Sequence, residues 1–289
     1  MRVKIFFILF IAMLSVSTSP IIAEGLLSNV PAVAISFWRM GFGALILWCI
    51  SLIKKQAPLT NENRNKTLIA GIFLGIHFAL FFSAIKLTTI ANATFLGTLA
   101  PLFTFCIEKF ILKRKHVKGI LMGLGIAVLG AFIIVANKFE FSNGHTIGNL
   151  LAICCSIFLG MAFMISEKVR KDVGTISYSR TLFTSAAITL FAISFFTNDP
   201  LTKFSEIEFG GLLLLGIIPT LMGHGSMYFA IRHASPTVVA TAPMGEPILA
   251  SIIAFFLFEN QIPGGETLIG GSITLLGIFI LARQNNYNN

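Results

Sequence analysis

Charge is what this sequence has least of. Asp, Glu, Lys and Arg supply 11% of its 289 residues, where a soluble domain carries about 25%. So little charge cannot coat a water-facing surface, which excludes a soluble enzyme and a disordered chain. Tyrosine and tryptophan are also scarce, three and two against 29 phenylalanines, and phenylalanine has no polar handle for water. Cys49, Cys106, Cys154 and Cys155 all lie in apolar runs without Cys-x-x-Cys spacing. They read as small packing residues rather than a metal or redox site, and a disulfide scaffold is excluded. Catalytic signatures are missing too. Without a Gly-x-x-x-x-Gly-Lys-Ser/Thr loop there is no ATP-driven pump, and without His-Glu-x-x-His or Gly-x-Ser-x-Gly a membrane hydrolase lacks its usual handle. The reading is a protein that is not an enzyme and needs no cofactor.

What the sequence has is apolar length. Its mean hydropathy is +0.87, and a membrane span needs about 20 mostly apolar residues. Ten runs qualify: Ile5–Ala23, Pro31–Ile53, Thr67–Ile85, Thr89–Leu112, Lys118–Ala136, Thr146–Ser166, Ile176–Phe196, Phe209–Ile231, Ser235–Phe258 and Gly264–Ala282. The first imitates a secretory signal, with Ser15-x-Ser17 as its cleavage site. Its apolar run continues to full membrane thickness at Ala23, so it is read as a retained span. The fold class expected is an all-α membrane protein of ten transmembrane helices.

The net charge of +9 is then topology and not a nucleic-acid surface. With the amino terminus inside, sixteen Lys and Arg fall on the cytoplasmic side, and only Lys86, Lys138 and Lys203 fall outside. Arg39 and Arg180 lie within spans. Cytoplasmic loops collect Lys and Arg, so both termini are expected in the cytoplasm.

The chain also repeats. Ile35-Ser36-Phe37-Trp38-Arg39 reads against Ile176-Ser177-Tyr178-Ser179-Arg180, and Phe82-Ser83-Ala84-Ile85-Lys86 against Tyr228-Phe229-Ala230-Ile231-Arg232. Pro101 falls against Pro247, and Gly123 and Gly130 against Gly270 and Gly277. Residues 1–140 and 141–289 would each hold five spans. Five is odd, so the second unit would sit inverted, an arrangement common in secondary transporters.

Gly223-His224-Gly225, the stretch Ala230-Ile231-Arg232-His233-Ala234-Ser235-Pro236, and Glu246-Pro247 running on to Glu259 resemble the EamA family of the drug/metabolite transporter superfamily. The first half is similar more loosely, through Arg39, Pro101 and the Gly123–Gly130 spacing. The resemblance implies a ten-helix inner-membrane carrier for a metabolite, often an exporter, without an ATPase of its own. Two departures stand out. A Trp-Gly pair frequent in the family's first span is replaced by Ser15-Val16-Ser17-Thr18-Ser19-Pro20. A Glu that closes its fourth span gives way to Lys113-Arg114-Lys115, which reads as an adjustment to the membrane surface.

Six residues are candidates for substrate or proton binding. Glu246 falls at the middle of the ninth span, where an ionised carboxylate costs a few kcal/mol unless it meets a partner, a cavity or a proton. Pro243 and Pro247 bracket it. Each removes a backbone donor and crowds the preceding turn, so they and Pro101 are the expected helix-break hinges. Thr94, Thr98 and Thr104 stand ready for the carbonyls freed at Pro101. His77 and His224, both mid-span, approach from the two halves and titrate near neutrality, although intramembrane histidines also serve helix packing. Arg39 is either a gate or a helix-end anchor. Trp38 and Tyr228 are aromatic candidates that packing accounts for equally well.

The function expected is a secondary transporter of a small metabolite such as an amino acid, working by alternating access, with export as the expected direction and the site between spans three, four, eight and nine. An importer of the same fold and a non-transporting membrane scaffold or lipid-handling protein are the alternatives. The partners expected are a small-molecule substrate and the bilayer. Proton coupling and a homodimer are left open by the sequence.

Overall fold

The computed structural model describes residues 2–115, 117–140, 142–258 and 262–284. Glu259, on which the family resemblance ends, lies outside the described residues. Among the described residues there are ten helical spans, each long and apolar enough to cross a bilayer. They are α1 (Lys4–Leu26), α2 (Ala32–Ile53), α3 (Asn61–Leu87), α4 (Ile90–Ile111) and α5 (Lys118–Lys138). The second five are α6 (Thr146–Arg170), α7 (Thr175–Thr197), α8 (Glu206–Ala230), α9 (Pro236–Leu257) and α10 (Gly265–Gln284). No strand occurs among the described residues.

Two boundaries depart from the sequence expectation by more than one turn, each for an electrostatic reason. Helix α3 starts six residues before Thr67, because Thr60 caps it by accepting from the Asn63 amide. Its polar first turn carries an exposed Glu62–Lys66 pair at 2.5 Å. Helix α6 runs beyond Ser166 to Arg170 because its charged end is buried: Glu167 and Arg170 are each 1% exposed. Charges that ended the apolar run in the sequence are inside the fold.

The helices pack in a crossed pattern. Helix α5 lies along α10, α3 lies against α6 and α7, α2 against α7 and α8, and α1 against α8. Helix α4 touches α6 and the start of α9. In a bilayer lipid tails are as apolar as leucine, so close backbone approach and dispersion drive such contacts. The α5–α10 seam shows this most plainly. A Cβ on Gly130 would lie 2.4 Å from the Thr274 nitrogen and 2.5 Å from the Gly270 oxygen. One on Gly277 would lie 2.4 Å from the Ala127 nitrogen and 2.7 Å from the Gly123 oxygen. The large side chains Leu121, Met122 and Leu129 of α5, and Leu268, Ile269 and Leu276 of α10, are exposed on the outside of the pair.

Beyond a single-residue turn at Ser17 in α1, α4, α8 and α9 are irregular, and these irregularities fall beside the functional candidates. Helix α4 is interrupted at Thr98–Leu99, before Pro101. Thr94, Thr98 and Thr104 do not take the Gly97 carbonyl four residues before Pro101; they donate to the Ile90, Phe95 and Ala100 carbonyls of their own span, as hydroxyls in a helix commonly do. The Leu96 carbonyl is met instead by Ser156 of α6. Helix α9 is regular over Pro236–Ala240, becomes a tight turn over Ala242–Gly245 that contains Pro243, and resumes at Glu246 with Pro247 in its first turn. Helix α8 widens into π-helical turns over Gly216–His224, around Pro219. Proline has no N–H for the carbonyl four residues back. The Thr220 hydroxyl takes that carbonyl, Leu215, at 2.8 Å.

The α5–α10 seam should tolerate no added bulk. Gly130→Val should lower the melting temperature of the detergent-solubilised protein by about 5 °C, from an overpacking cost of about 1–3 kcal/mol at about 2–4 °C per kcal/mol. Gly125→Ala, whose Cβ would meet nothing within 4 Å, should leave the melting temperature unchanged. Thermal unfolding of the three proteins side by side checks this.

Candidate functional site

The widened turn of α8 places Thr220 where it serves two partners. Its hydroxyl donates to the Leu215 carbonyl and accepts from Arg39 Nε at 3.2 Å. Arg39 Nη1 donates to the Ser19 hydroxyl of α1 at 3.3 Å. The guanidinium carbon lies 4.8 Å from the centre of the Phe78 ring. With 4% of its surface exposed, Arg39 does not reach for an interface; it is held inside the bundle by α1, α3 and α8.

Glu246 begins the regular part of α9 after the broken segment, so its carboxylate sits at a helix start, where the local dipole favours negative charge. It is half-buried, and the charge acting on it is Arg39. Yet the two form no direct ion pair, and the Glu246 side chain makes no hydrogen bond among the described residues. An acidic group and a guanidinium, each a few kcal/mol out of place in a bilayer interior on its own, therefore act on each other through space without being bonded together.

The histidines gather on the same phenylalanine. The His224 ring lies 5.6 Å and the His77 ring 5.0 Å from that of Phe78. His77 Nδ1 is engaged, 3.0 Å from the Cys155 carbonyl of α6. His224 Nδ1 is buried without a partner, and so is the Tyr228 hydroxyl one turn further along α8. Their rings stack with centroids 6.5 Å apart. Tyr228 is also packed by Phe163, Tyr178 and Phe183, and all four of these rings are fully buried. They form an aromatic floor between Arg39 and the end of the bundle that carries Lys113–Lys115.

Arg39, His77 and His224 are thus brought together around Phe78, with Tyr228 joined through His224 and Glu246 acting on Arg39. Trp38 is not part of the group. Its indole donates to the Leu201 carbonyl at 2.8 Å and packs on Phe42 and Phe209, which is a helix-packing position. The site also includes α1 and α2, beyond the expected four spans, and the polar patch of α1 is used unevenly. Ser17 and Thr18 bond to carbonyls of their own helix, while Ser19 serves Arg39. Phe78, the hub of the cluster, has no sequence signal of its own, being one of 29 phenylalanines. Pro219, inside an apolar run, is the one local pointer to Thr220.

A cavity of about 360 Å³ opens elsewhere, between α2, α7 and α8, lined by Leu47, Ile50, Ile176, Leu221 and Phe229. Its polar lining is limited to the hydroxyls of Thr175, Ser179 and Ser226, so it offers no charge to a substrate.

The architecture recurs among known proteins. A solved crystal structure superposes with a TM-score of 0.81 over 99% of each chain at 17% identity, which is a shared fold. The pseudopaline exporter CntI of Pseudomonas aeruginosa is 26% identical over 259 residues, covering 89% of this chain and 88% of the relative. An uncharacterized transporter of Archaeoglobus fulgidus is 27% identical over 248 residues, covering 84% and 83%, and the uncharacterized transporter YyaM of Bacillus subtilis is 22% identical over 263, covering 86% and 85%. One family model, that of the EamA-like transporters, matches twice, over residues 3–136 and again over 146–283. Matched over nearly its whole length, the chain belongs to the EamA-like transporter family.

Proposed function

We propose that this transporter exports a small zwitterionic metabolite, such as an amino acid, by alternating access of a single central site. The observation that carries the reading is the unbonded confrontation of Glu246 and Arg39. A substrate bearing an ammonium and a carboxylate completes both charges at once. Its carboxylate would lie against Arg39, within reach of the free His224 Nδ1 and Tyr228 hydroxyl, and its ammonium against Glu246. The unpartnered polar atoms on α8 favour the same ligand, since buried donors and acceptors are costly until satisfied.

The breaks in α4 and α9 support the reading, because carriers build midplane sites where a helix is interrupted. So does the resemblance to a relative named as an exporter. The second match of the family model, and five spans in each half, support two units of inverted topology that rock about the α5–α10 seam. The seam fits such symmetry: Gly123 meets Gly277 while Gly130 meets Gly270, and each contact is the other's repeat equivalent. Lys and Arg gathered at one end favour placing that end in the cytoplasm of a cell whose inner membrane holds the chain. A proton competes with ammonium for Glu246, so we propose exchange of substrate for protons as the coupling.

Two measurements test the site. Glu246→Gln, in proteoliposomes, should reduce amino-acid flux to background while the purified protein stays folded and elutes as wild type; undiminished flux would remove Glu246 from the site. Arg39→Lys keeps the charge but loses the planar fork suited to carboxylates. It should weaken binding of an amino-acid ligand about tenfold, or about 1.4 kcal/mol, and leave the matching decarboxylated amine unaffected. Ligand-dependent thermal shifts read both affinities, since ligand at 100 times its dissociation constant stabilises by about 2.7 kcal/mol.

A further inference from the structure

The end of the bundle beneath the aromatic floor holds a second set of buried charges that the central site does not use. Helix α4 finishes in a π-helical turn over Ile107–Ile111. The chain then reverses through Lys113, whose φ of 53° is left-handed, and the Arg114 amide returns to the Glu108 carbonyl at 2.9 Å. The reversal folds the Arg114 side chain back over the helix end. Nη1 donates to Glu108 Oε1 at 2.9 Å, and the fork of Nη1 and Nη2 donates to both oxygens of Glu167 on α6, at 2.8 and 2.7 Å. The other oxygen of Glu108 accepts from the Thr237 hydroxyl, in the first turn of α9, at 2.5 Å. Glu108, Glu167 and Thr237 are 0–1% exposed. The basic Lys113-Arg114-Lys115 stretch is therefore not merely a membrane-surface adjustment, since its arginine points into the protein.

Neighbouring bonds extend the closure. Arg170 at the end of α6 donates through Nε to the Tyr228 carbonyl of α8 at 2.9 Å and through Nη2 to the Thr175 hydroxyl of α7 at 2.6 Å. Together the two arginines join the ends of α4, α6, α7, α8 and α9 on one face. Arg170 thereby ties the end of α6 to the backbone of Tyr228, whose ring stacks on His224 of the central cluster. Thr237 is the contact that matters for movement, because it belongs to the short first segment of α9, ahead of the break that leads to Glu246.

We propose that the Glu108–Arg114–Glu167–Thr237 cluster is the latch of the gate on this face. It holds the first segment of α9 against α4 and α6 while the site is closed to the Lys113–Lys115 side, and it must open for substrate to pass there. The inference rests on the alternating-access reading given above but not on the identity of the substrate. A latch of bonded charges suits a gate because both its states are tolerable. Closed, the two carboxylates share the one guanidinium and Glu108 also accepts from Thr237; open, each group is answered by water at the membrane surface. An apolar contact in the same place would have no comparable second partner.

The test needs no substrate. Ala240 is 1% exposed and lies on α9 between Thr237 and Glu246. An Ala240→Cys reporter, in proteoliposomes of known orientation, is labelled with a membrane-impermeant maleimide from either face. The parent chain with its four native thiols gives the background. Arg114→Ala should raise reporter labelling from the Glu108 face at least tenfold and leave labelling from the opposite face unchanged. Arg114→Lys, which keeps one charged donor, should raise it less than threefold. Thr237→Val, which cuts only the tie to α9, should reproduce the Arg114→Ala result if that protein fails to fold. Unchanged labelling, or an equal rise from both faces, would overturn the latch. Failure of every amino acid to bind would overturn the substrate reading and leave the labelling result standing.

Discussion

A charged group inside hydrocarbon has to be answered by another polar group or by water, and this constraint arranges most of what distinguishes the bundle. Arg39 is answered by two hydroxyls and a ring face from three helices. Glu108 and Glu167 are answered by one guanidinium brought back through a left-handed turn, and Arg170 by a carbonyl of the neighbouring helix. Each solution ties together spans that are distant in sequence. Glu246 is the exception, acting on Arg39 without bonding to it. Beside interior charges answered in this way, an incomplete pair is an invitation to a ligand.

The same constraint acts on the backbone. A broken or widened helix leaves carbonyls and amides that the bilayer cannot hydrate. Two of the irregular spans are repaired by a hydroxyl close by: Ser156 at the break in α4 and Thr220 at the wide turn of α8. At Thr220 the repair has a second use, because the oxygen that mends the helix also receives Arg39. The irregularity and the site are one piece of construction.

The ten spans were legible because a run of some 20 apolar residues suits little besides a bilayer, and the proline breaks were legible because proline's missing donor is local chemistry. Glu246 and Arg39 stood out as charges within apolar runs. Glu108 and Glu167 did not, since each sits near a run's end beside lysines and reads as a surface charge until the chain reversal at Lys113 is known. Phe78 carried no signal at all. Its role comes from Arg39 and His224 converging on it from two other helices beside its neighbour His77, and such convergence is a property of packing that no single stretch of sequence encodes.

The glycine seam has a consequence for the protein's surroundings. Because α5 and α10 meet backbone to backbone, they form a thin plate with its large side chains turned outward to the acyl chains. At 1.5 Å per residue their 21 and 20 residues span about 30 Å, close to the hydrocarbon thickness of an ordinary bilayer. A membrane a few ångströms thicker or thinner exerts its mismatch, at a fraction of a kcal/mol per ångström, on a pair that cannot relieve it by sliding past interlocked glycines. The plate would have to tilt as a unit, so lipid chain length acts on α5 and α10 together rather than on either helix alone.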